Sequence, residues 1–526
     1  MKLGEKIRKL RMAEKMTQAE LAEACGVSFQ AVQKWESDAY APTLEKLALL
    51  SKRFSVSLDE LVLDRSDRLL EEQKRVRLLP EYACVPDDES YPEQLRVEYT
   101  QSVQEGRDIA AYQELFEQVR RMPRGEFKER MADVLFDLTT GADQAPDYPF
   151  AEPSDYEGIR AQWAEDRAAD QPVAAETMRE RIAGAWYGRI CGCLLGKTVE
   201  GIRTPELTAL LKATGNYPMR RYILRAELTD ELLQATNYPL ATRCYADTIP
   251  CAPADDDTNY TVLYQELIRK YGRDFTPYDV SRMWLDSQPK NAYCTAERVA
   301  FINFVKGFTP PASAVHKNPY REWIGAQIRA DYFGYINPGC PEAAAEMAWR
   351  DASVSHVKNG VYGEMWVAAL LALAARTDSV EDALYASLKF IPRASRLMKH
   401  LTEVIRDYEE KTPAEQCFAH IHARWDEFST HDWCHTISNA EIVTASLLYG
   451  RGDYGKSICM AVQTGFDTDC NGATIGSVIG MCRGRQAIGE EWTRPLHGRL
   501  DTAIFGVGNP PVKNEHYLKK ELAISE

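Results

Sequence analysis

The sequence predicts an all-α protein built from more than one domain. Apolar residues recur mostly at helical spacing, and the alternation typical of half-buried strands is scarce in the C-terminal two thirds. The chain has 526 residues, whereas one hydrophobic core rarely organises more than about 250–300 residues. We therefore predict a helix-turn-helix bundle at 1–66, a helical connector at 67–177, a large all-helical domain at 178–512 and a tail at 513–526.

Composition and charge narrow the classes of partner. The formal net charge of −15 disfavours nucleic acid as the partner of the whole surface, although a small domain can still carry its own basic face. The longest apolar run, 365–375, is shorter than the roughly 18–20 residues of a membrane span. Thirteen cysteines without regular spacing indicate reduced thiols. The first residues carry no apolar signal core, so we expect a cytoplasmic protein without a membrane partner.

Residues 1–66 have the spacing of a helix-turn-helix unit. Thr17 and Glu20 fit a capping box at the start of one helix, and Gly26 fits the following turn. Ser28 is placed to cap the next helix, predicted at 29–35. Short capped helices separated by a glycine turn are typical of this motif.

This stretch resembles the phage-repressor-like (Cro/C1, XRE) helix-turn-helix family. The resemblance rests on the runs TQAELA and GVS and on Val32, Trp35 and Pro42, while Asp38 stands near a position where the family often has glycine. In such domains the second helix of the motif lies in the major groove. The resemblance implies contacts to bases or phosphates from Ser28, Gln30, Gln33 and Lys34, with Gln18 near the DNA backbone. An interaction domain with the same fold remains open, because acidic and basic residues nearly balance across the unit.

The sequence of the connector contains nothing that suggests catalysis. Its segments at 92–121 and 126–138 have the pattern of amphipathic helices, and 141–153 carries three prolines and is predicted to be a loop. We expect a connector or a dimerisation arm, which leaves a homodimer as one expected assembly.

The large domain opens with a glycine stripe at Gly184, Gly188, Gly192 and Gly196. A spacing of four residues places all of them on one helix face, where another helix or a ligand can approach closely. Both interpretations are open from the sequence.

Two aspartate clusters lie far apart in the chain, one running from Asp255 through Asp257 to Thr258 and the other from Asp467 to Asp469. Mg²⁺ and Mn²⁺ take oxygen ligands, and two acidic clusters that meet in space can hold two such ions. A single aspartate run is as often a solvated turn or a helix cap, but two glycine-flanked runs together favour a shared metal site. His431, Cys434 and His435 offer zinc-ligand types, yet they lack a fourth ligand at regular spacing.

These landmarks, with the motifs GKTVEG after the glycine stripe, GAQIR, SH and GFDTDCNGATIG, resemble the ADP-ribosylglycohydrolase family, which includes the dinitrogenase reductase-activating glycohydrolases. The resemblance implies an all-α domain with two Mg²⁺ or Mn²⁺ ions. It further implies hydrolysis of the glycosidic bond at C1″ of a terminal ribose, on an ADP-ribosylated protein or an ADP-ribose-like small molecule.

The resemblance also assigns roles residue by residue. The implied metal ligands are Asp255, Asp256, Asp257, Asp467 and Asp469. The implied catalytic residues are Asp257 and Asp469, either of which would accept a proton from water, and Glu200, which closes over the substrate. The implied substrate-binding residues are Glu200, Gly325, Arg329, His356, Gly465 and Asn471.

Several positions depart from the family pattern. Asp255 replaces a threonine, Cys470 replaces a threonine or serine, and Cys193 replaces an aspartate of the opening glycine motif. Thiols are poor ligands for Mg²⁺. Trp323 and Ile324 stand where the substrate loop usually begins with Gly-Asn. Two functions therefore follow: a metal-dependent glycohydrolase coupled to DNA binding, or a transcription regulator whose hydrolase-like domain senses an ADP-ribose-like ligand without turnover.

Overall fold

The computed structural model describes residues 2–56, 58–62, 82–236 and 238–507. The chain divides into two compact units, Met1–Val85 and Pro86–Glu526. All regular elements in the described ranges are helical, with isolated β-bridges and no strand, which confirms the all-α prediction. The predicted tail at 513–526 and the stretch 63–81 of the connector lie outside the described residues. None of the helices described here is both long and apolar enough to span a membrane.

The first unit is a small helical bundle closed over a core of its own. Its helices are α1 Leu3–Ala13, α2 Gln18–Cys25, α3 Phe29–Glu36, α4 Leu44–Phe54 and α5 Leu58–Val62. The capping box of Thr17 and Glu20 forms as predicted, and the Ser28 side chain accepts from the backbone N–H of Ala31. Gly26 ends α2 with a left-handed backbone, a conformation that costs glycine little.

The departure at Asp38 has a local explanation. Asp38 adopts φ +56°, and aspartate tolerates this left-handed region better than most residues. Its Oδ1 accepts a hydrogen bond of 2.8 Å from the N–H of Gly4, near the start of α1. The carboxylate therefore supplies an acceptor for the first turn of α1, which a glycine at this position would lack.

The second unit is an assembly of packed helices around one large apolar core. Its α-helices are α6 Leu95–Gln104, α7 Gln113–Arg120, α8 Glu126–Gly141, α9 Tyr156–Ala161, α10 Ala175–Lys197, α11 Thr204–Ala213, α12 Asp230–Ala235, α13 Asp256–Tyr271, α14 Pro277–Ser287, α15 Thr295–Val305, α16 Ala312–Val315, α17 Asp331–Tyr335, α18 Pro341–Ala352, α19 Lys358–Ala374, α20 Val380–Ser387, α21 Arg396–Glu409, α22 Ala414–Arg424, α23 Thr430–Cys434, α24 Thr436–Gly450, α25 Tyr454–Gln463, α26 Thr468–Arg483 and α27 Glu490–Thr493.

The glycine stripe of α10 packs against a second glycine stripe on α26. A Cβ atom on Gly188 would overlap the carbonyl oxygen of Gly476, and one on Gly192 would overlap that of Gly472. At the end of the crossing, the Thr468 hydroxyl donates to the Gly196 carbonyl oxygen at 2.9 Å. The stripe therefore serves close helix packing, and this packing brings the last turn of α10 beside the first turn of α26.

The predicted connector belongs, from Pro86 onward, to the same compact unit as the large domain. The segment predicted at 92–121 forms two helices, α6 and α7, because the chain turns at Gly106. Gly106 has φ +81°, and the Tyr148 ring lies so close that a side chain would not fit. The predicted loop after α8 is confirmed.

A buried group of opposite charges joins this N-terminal segment to the rest of the unit. The Arg321 guanidinium donates to Glu98 and Glu105 of the segment, at 3.0 and 2.6 Å. Gln101 donates to Glu322 at 2.6 Å. We call the set the paired-charge cluster, and its members are Glu98, Glu105, Glu152, Arg321, Glu322, Lys358 and Arg396.

Candidate active site and metal centre

The first aspartate cluster forms the N-terminus of α13. The Asp255 Oδ1 atom accepts a hydrogen bond of 2.9 Å from the backbone N–H of Asp257, which caps the helix. Its Oδ2 atom forms an ion pair with the ammonium of Lys197, the last residue of α10. Both oxygens of the Asp255 carboxylate are therefore already engaged by groups of the chain itself.

Asp257 is completely buried, and Arg189 of α10 holds one side of it. The guanidinium of Arg189 donates to the Asp257 carbonyl oxygen at 2.5 Å and to Oδ1 at 3.1 Å. Its remaining nitrogen pairs with Asp331 at 2.7 Å. The Asp257 Oδ2 atom has no hydrogen-bond partner within the described part of the chain. A buried carboxylate oxygen without a partner is energetically unfavourable unless a cation or a hydrogen-bond donor binds it.

The second aspartate cluster opens α26 on the opposite side of the centre. The Asn439 Oδ1 atom accepts from the Asp467 N–H at 3.1 Å and from the Asn471 side chain at 2.8 Å, which fixes the turn. The Cys434 thiol donates to Asp467 Oδ2 at 3.5 Å. Asp469 Oδ1 accepts from the Cys470 N–H at 3.2 Å.

The two clusters meet around Asp257. Its carboxylate belongs to two triads of potential ligands, each with ligand atoms within 4.8 Å of one another. The first triad is Cys193, Asp255 and Asp257, and the second is Asp257, Asp469 and Cys470. Among the residues that the structure describes, neither triad includes Asp256 or Asp467. The structure thus brings the two aspartate clusters together, and the thiols of Cys193 and Cys470 lie among their carboxylates.

Crowding of like charges dominates the electrostatics of this centre. Burial and the charge of Asp255 raise the pKa of Asp257 well above its ordinary value. Burial, with the charges of Glu200 and Asp255, likewise raises the pKa of Asp469. Burial alone would raise the pKa of Asp255 too, but the Lys197 ammonium lowers it below the ordinary value. Burial raises the pKa of both Cys193 and Cys470, which keeps these thiols protonated. Divalent cations would relieve the remaining repulsion, so the carboxylates fit such a group.

Glu200 and Asp256 lie at the edge of the centre and are partly exposed. The Glu200 carboxylate lies 3.7 Å from the Arg243 guanidinium. Burial and the charge of Asp467 raise the pKa of Glu200. Burial and the charge of Asp255 raise the pKa of Asp256. The position of Glu200 suits a residue that meets a substrate at the entrance.

Arg329 is buried among three carboxylates. It is 0% exposed, and its guanidinium pairs with Glu297 at 2.6 Å, Asp351 at 2.6 Å and Glu364 at 3.4 Å. A Cβ atom at Gly325 would overlap the Glu297 carboxylate, so the glycine admits this carboxylate to the arginine. Both residues therefore support the 3₁₀ segment Ile324–Arg329. Their expected contact with a substrate stays a prediction.

Three other predicted substrate residues are also held inside the unit. His356 is 1% exposed, with Nδ1 at 2.8 Å from the Ser355 hydroxyl, and burial lowers its pKa so that the ring is neutral. Gly465 has φ +79°, and a side chain there would overlap Glu427. Asn471 is fully buried and orients Asp467 through the shared Asn439. All three are buried in the second unit, and their contact with a substrate stays a prediction.

The zinc alternative gains no support from the geometry. His431 Nδ1 accepts from the Trp323 indole at 3.1 Å, and its Nε2 lies 3.0 Å from Gln104. His435 Nδ1 accepts from the Ile437 N–H at 3.1 Å. In the described ranges these histidines form no ligand group together with Cys434.

Sequence reasoning missed Arg189, Lys197 and Asn439. Arg189 carries a weak signal, since an arginine inside a glycine-striped apolar helix needs buried acceptors. Lys197 follows Cys193 by four residues, so both lie on the same face of α10. No sequence signal identifies Asn439, whose role depends on a contact between α24 and α26.

In the N-terminal unit the predicted DNA-contacting residues of α3 are accessible. Ser28, Gln30, Gln33 and Lys34 are exposed. Gln18 is partly buried and donates to Glu36 at 2.7 Å. The side chains of Gln30, Gln33 and Lys34 thus form a polar face of α3 that is accessible to a ligand.

The fold and the centre together define an all-α protein with a buried carboxylate cluster joined to a helix-turn-helix unit. The chain belongs to the ADP-ribosylglycohydrolase family, whose model matches residues 174–509. A helix-turn-helix model matches residues 7–61.

The relatives found for the N-terminal unit are transcription regulators. The HTH-type transcriptional activator BcrR of Enterococcus faecalis is 45% identical over 62 residues, which is 12% of this chain and 30% of the activator. The cryptic phage CTXphi transcriptional repressor RstR of Vibrio cholerae serotype O1 is 32% identical over 85 residues, 15% of this chain and 76% of the repressor. The chain thus spans less than a third of the length of BcrR.

A solved structure described as an ADP-ribosylglycohydrolase-related protein complex aligns with 66% of this chain and 98% of its own. The identity is 20% and the TM-score is 0.41.

Proposed function

We propose that the protein is a metal-dependent glycohydrolase that cleaves the C1″ ribosyl bond of an ADP-ribosylated protein or an ADP-ribose-like small molecule. The observation that carries the proposal is the pair of ligand triads that share Asp257, whose Oδ2 lacks a partner in the described residues. Mg²⁺ or Mn²⁺ suits the carboxylates. Two triads offer two positions, as the family resemblance implies, although a lysine stands beside one of them.

The roles of the residues follow from their positions. When bound, a divalent ion supplies Lewis acidity at the ribose. Asp257 and Asp469 would hold such an ion, and one of these carboxylates would accept the proton of the attacking water. Glu200, at the entrance, binds a ribose hydroxyl and orients the sugar. Arg189 opposes the rise in the pKa of Asp257 and fixes the direction of its carboxylate, because the guanidinium engages one carboxylate oxygen and leaves the other without a partner in the described residues.

The test is release of ADP-ribose from arginine-linked, serine-linked and small-molecule substrates, with Mg²⁺, with Mn²⁺ and with EDTA. We expect release that depends on the metal and is lost in EDTA. Release that proceeds equally fast in EDTA would contradict the metal mechanism.

We propose that the first unit binds DNA through α3 and thereby couples the hydrolase to a promoter or a regulatory site. The accessible face of Gln30, Gln33 and Lys34 supports this role. After selection of a preferred sequence from a random DNA pool, Gln33→Ala should relax the preference at its contacted base by about 1–3 kcal/mol. Lys34→Ala should instead weaken all sequences alike and reduce the salt dependence. Unchanged binding in both variants would favour an interaction domain.

A second candidate is a regulator that senses an ADP-ribose-like ligand without turnover. The thiols of Cys193 and Cys470 among the ligand triads favour it, because they weaken a Mg²⁺ site. In that case calorimetry would detect ADP-ribose binding, the ligand would alter DNA affinity, and no substrate of the panel would be cleaved.

A further inference from the structure

The two ligand triads differ in one respect that concerns the number of ions. Lys197 contacts Asp255 in the first triad, and its side chain is 22% exposed against 1% for Asp255. Asp255 uses its other oxygen to cap α13. Each oxygen of Asp255 therefore already has one partner within the chain, and one of these partners is a cation. The third member of this triad is the thiol of Cys193.

The carboxylate that the two triads share has an oxygen without a partner: Asp257 Oδ2 is buried and has no hydrogen-bond partner in the described ranges. In the second triad, ligand atoms of Asp257 and Asp469 lie within 4.8 Å of each other. Carboxylate oxygens are the ligands that Mg²⁺ and Mn²⁺ prefer, whereas a thiol is a poor one. Each triad consists of two carboxylates and one thiol, and the two triads share Asp257, so they differ in the charge beside their other carboxylate. Asp255 is paired with the Lys197 ammonium, whereas Asp469 forms no ion pair among the described residues.

We propose that the ammonium of Lys197 takes the place of one of the two divalent ions, so that the centre binds a single divalent ion between Asp257 and Asp469. The proposal rests on the proposed function, since it concerns the same centre. In this arrangement Lys197 supplies a fixed positive charge beside Asp255 and Glu200. The ion at the second position remains exchangeable.

The experiment is a Mn²⁺ titration of the full-length protein, with bound metal measured by elemental analysis after equilibrium dialysis. We expect about one Mn²⁺ per chain and no electron paramagnetic resonance signal of an exchange-coupled Mn²⁺ pair. Cys193→Asp combined with Lys197→Ala frees Asp255 and adds a carboxylate, so it should raise the stoichiometry to about two and produce the coupled signal. Lys212→Met, which removes an exposed lysine of α11, should leave the stoichiometry unchanged.

Two single substitutions test the proposal without depending on the double variant. Asp255→Asn should retain most Mn²⁺ binding, whereas Asp257→Asn should abolish it. Two ions in the wild-type protein, or equal losses in both variants, would overturn the single-ion proposal and leave the metal-dependent hydrolase standing. A wild-type protein that binds no Mn²⁺ would overturn the metal mechanism together with it.

Discussion

Two groups of buried carboxylates in the second unit differ in the direction in which their surroundings shift the pKa. In the paired-charge cluster, Glu322 accepts from Arg396 at 2.7 Å and from the Asn359 N–H at 2.9 Å. Burial would raise the pKa of Glu322, but Arg396 and His435 lower it well below the ordinary value. At the metal centre, burial and neighbouring carboxylates raise the pKa of Asp257 and Asp469. The first cluster is neutralised by partners within the chain, whereas Arg189 and Lys197 offset only part of the negative charge at the metal centre.

This difference separates structural charges from functional ones. A buried ion pair that is complete is costly to break from either side, because the remaining partner is left uncompensated. Buried carboxylates that repel one another reduce stability until a cation binds. Substitutions in the two groups should therefore affect different properties of the protein.

The largest expected effect is on turnover. Asp257→Asn and Asp469→Asn should each lower kcat/KM by at least about 1,000-fold, because the charge that holds the ion is lost. In EDTA the thermal midpoint of Asp469→Asn should equal or exceed that of the wild type, because the substitution removes a carboxylate that its neighbours repel. Asp257→Asn should have a lower midpoint, because it leaves the buried guanidinium of Arg189 without one of its partners. Asp286→Asn, at a position with a 60% exposed side chain, serves as control. A variant that loses activity only by unfolding would contradict the separation.

A somewhat smaller effect is expected in the paired-charge cluster. Glu322→Gln should destabilise the second unit by about 3 kcal/mol, because Arg396 loses a buried partner and the new amide faces existing donors. Mn²⁺ binding should remain in the folded fraction. The matched control is Glu126→Gln, whose pair with Arg130 is exposed on both sides and should contribute less than about 0.5 kcal/mol. Chemical denaturation measures the free energy of unfolding of both variants. Equal losses of this free energy would show that the paired-charge cluster contributes no more to stability than an exposed ion pair.

The pH dependence of stability should have opposite signs in the two groups. The folded-state pKa of Glu322 is depressed, so its contribution is present above its ordinary value of 4.5 and is lost as the pH falls through the folded-state pKa. The folded-state pKa values of Asp257 and Asp469 are raised. Their protonated forms favour folding below the ordinary value of 3.8, and this contribution is lost as the pH rises through the raised values.

Added metal should therefore stabilise the protein only where these aspartates are ionised. At neutral pH, Mn²⁺ at about 100 times its dissociation constant should add about 2.7 kcal/mol. At pH 4 the gain should vanish, because protons compete for the same oxygens. Thermal scans with and without Mn²⁺ across this range measure the effect, and a gain that persists unchanged in acid would contradict the assigned ligands.

The sequence predicted a feature well when the residues that form it are close together in the chain, and poorly when they are far apart. Helix caps such as Thr17 with Glu20 and the glycine spacing of α10 are local, so their patterns predicted the elements correctly. The two aspartate clusters met as expected because each carries its own motif. The pairing of Gln101 with Glu322 joins residues 221 positions apart, and no local pattern specifies it. The same holds for Asn439, whose partners become neighbours only when α24 packs on α26.

The smallest expected effect concerns the border between the two groups. Gln104 of α6 lies 3.0 Å from His431, whose other ring nitrogen accepts from Trp323 at the start of the segment leading to Arg329. Gln104→Ala should cost about 1 kcal/mol of stability, the net value of one hydrogen bond. If α6 also shapes the substrate site beside the metal centre, KM should rise while kcat and Mn²⁺ stoichiometry stay constant. A change in stability with KM unaltered would restrict α6 to a structural role, and the charges it buries would then belong to the fold alone.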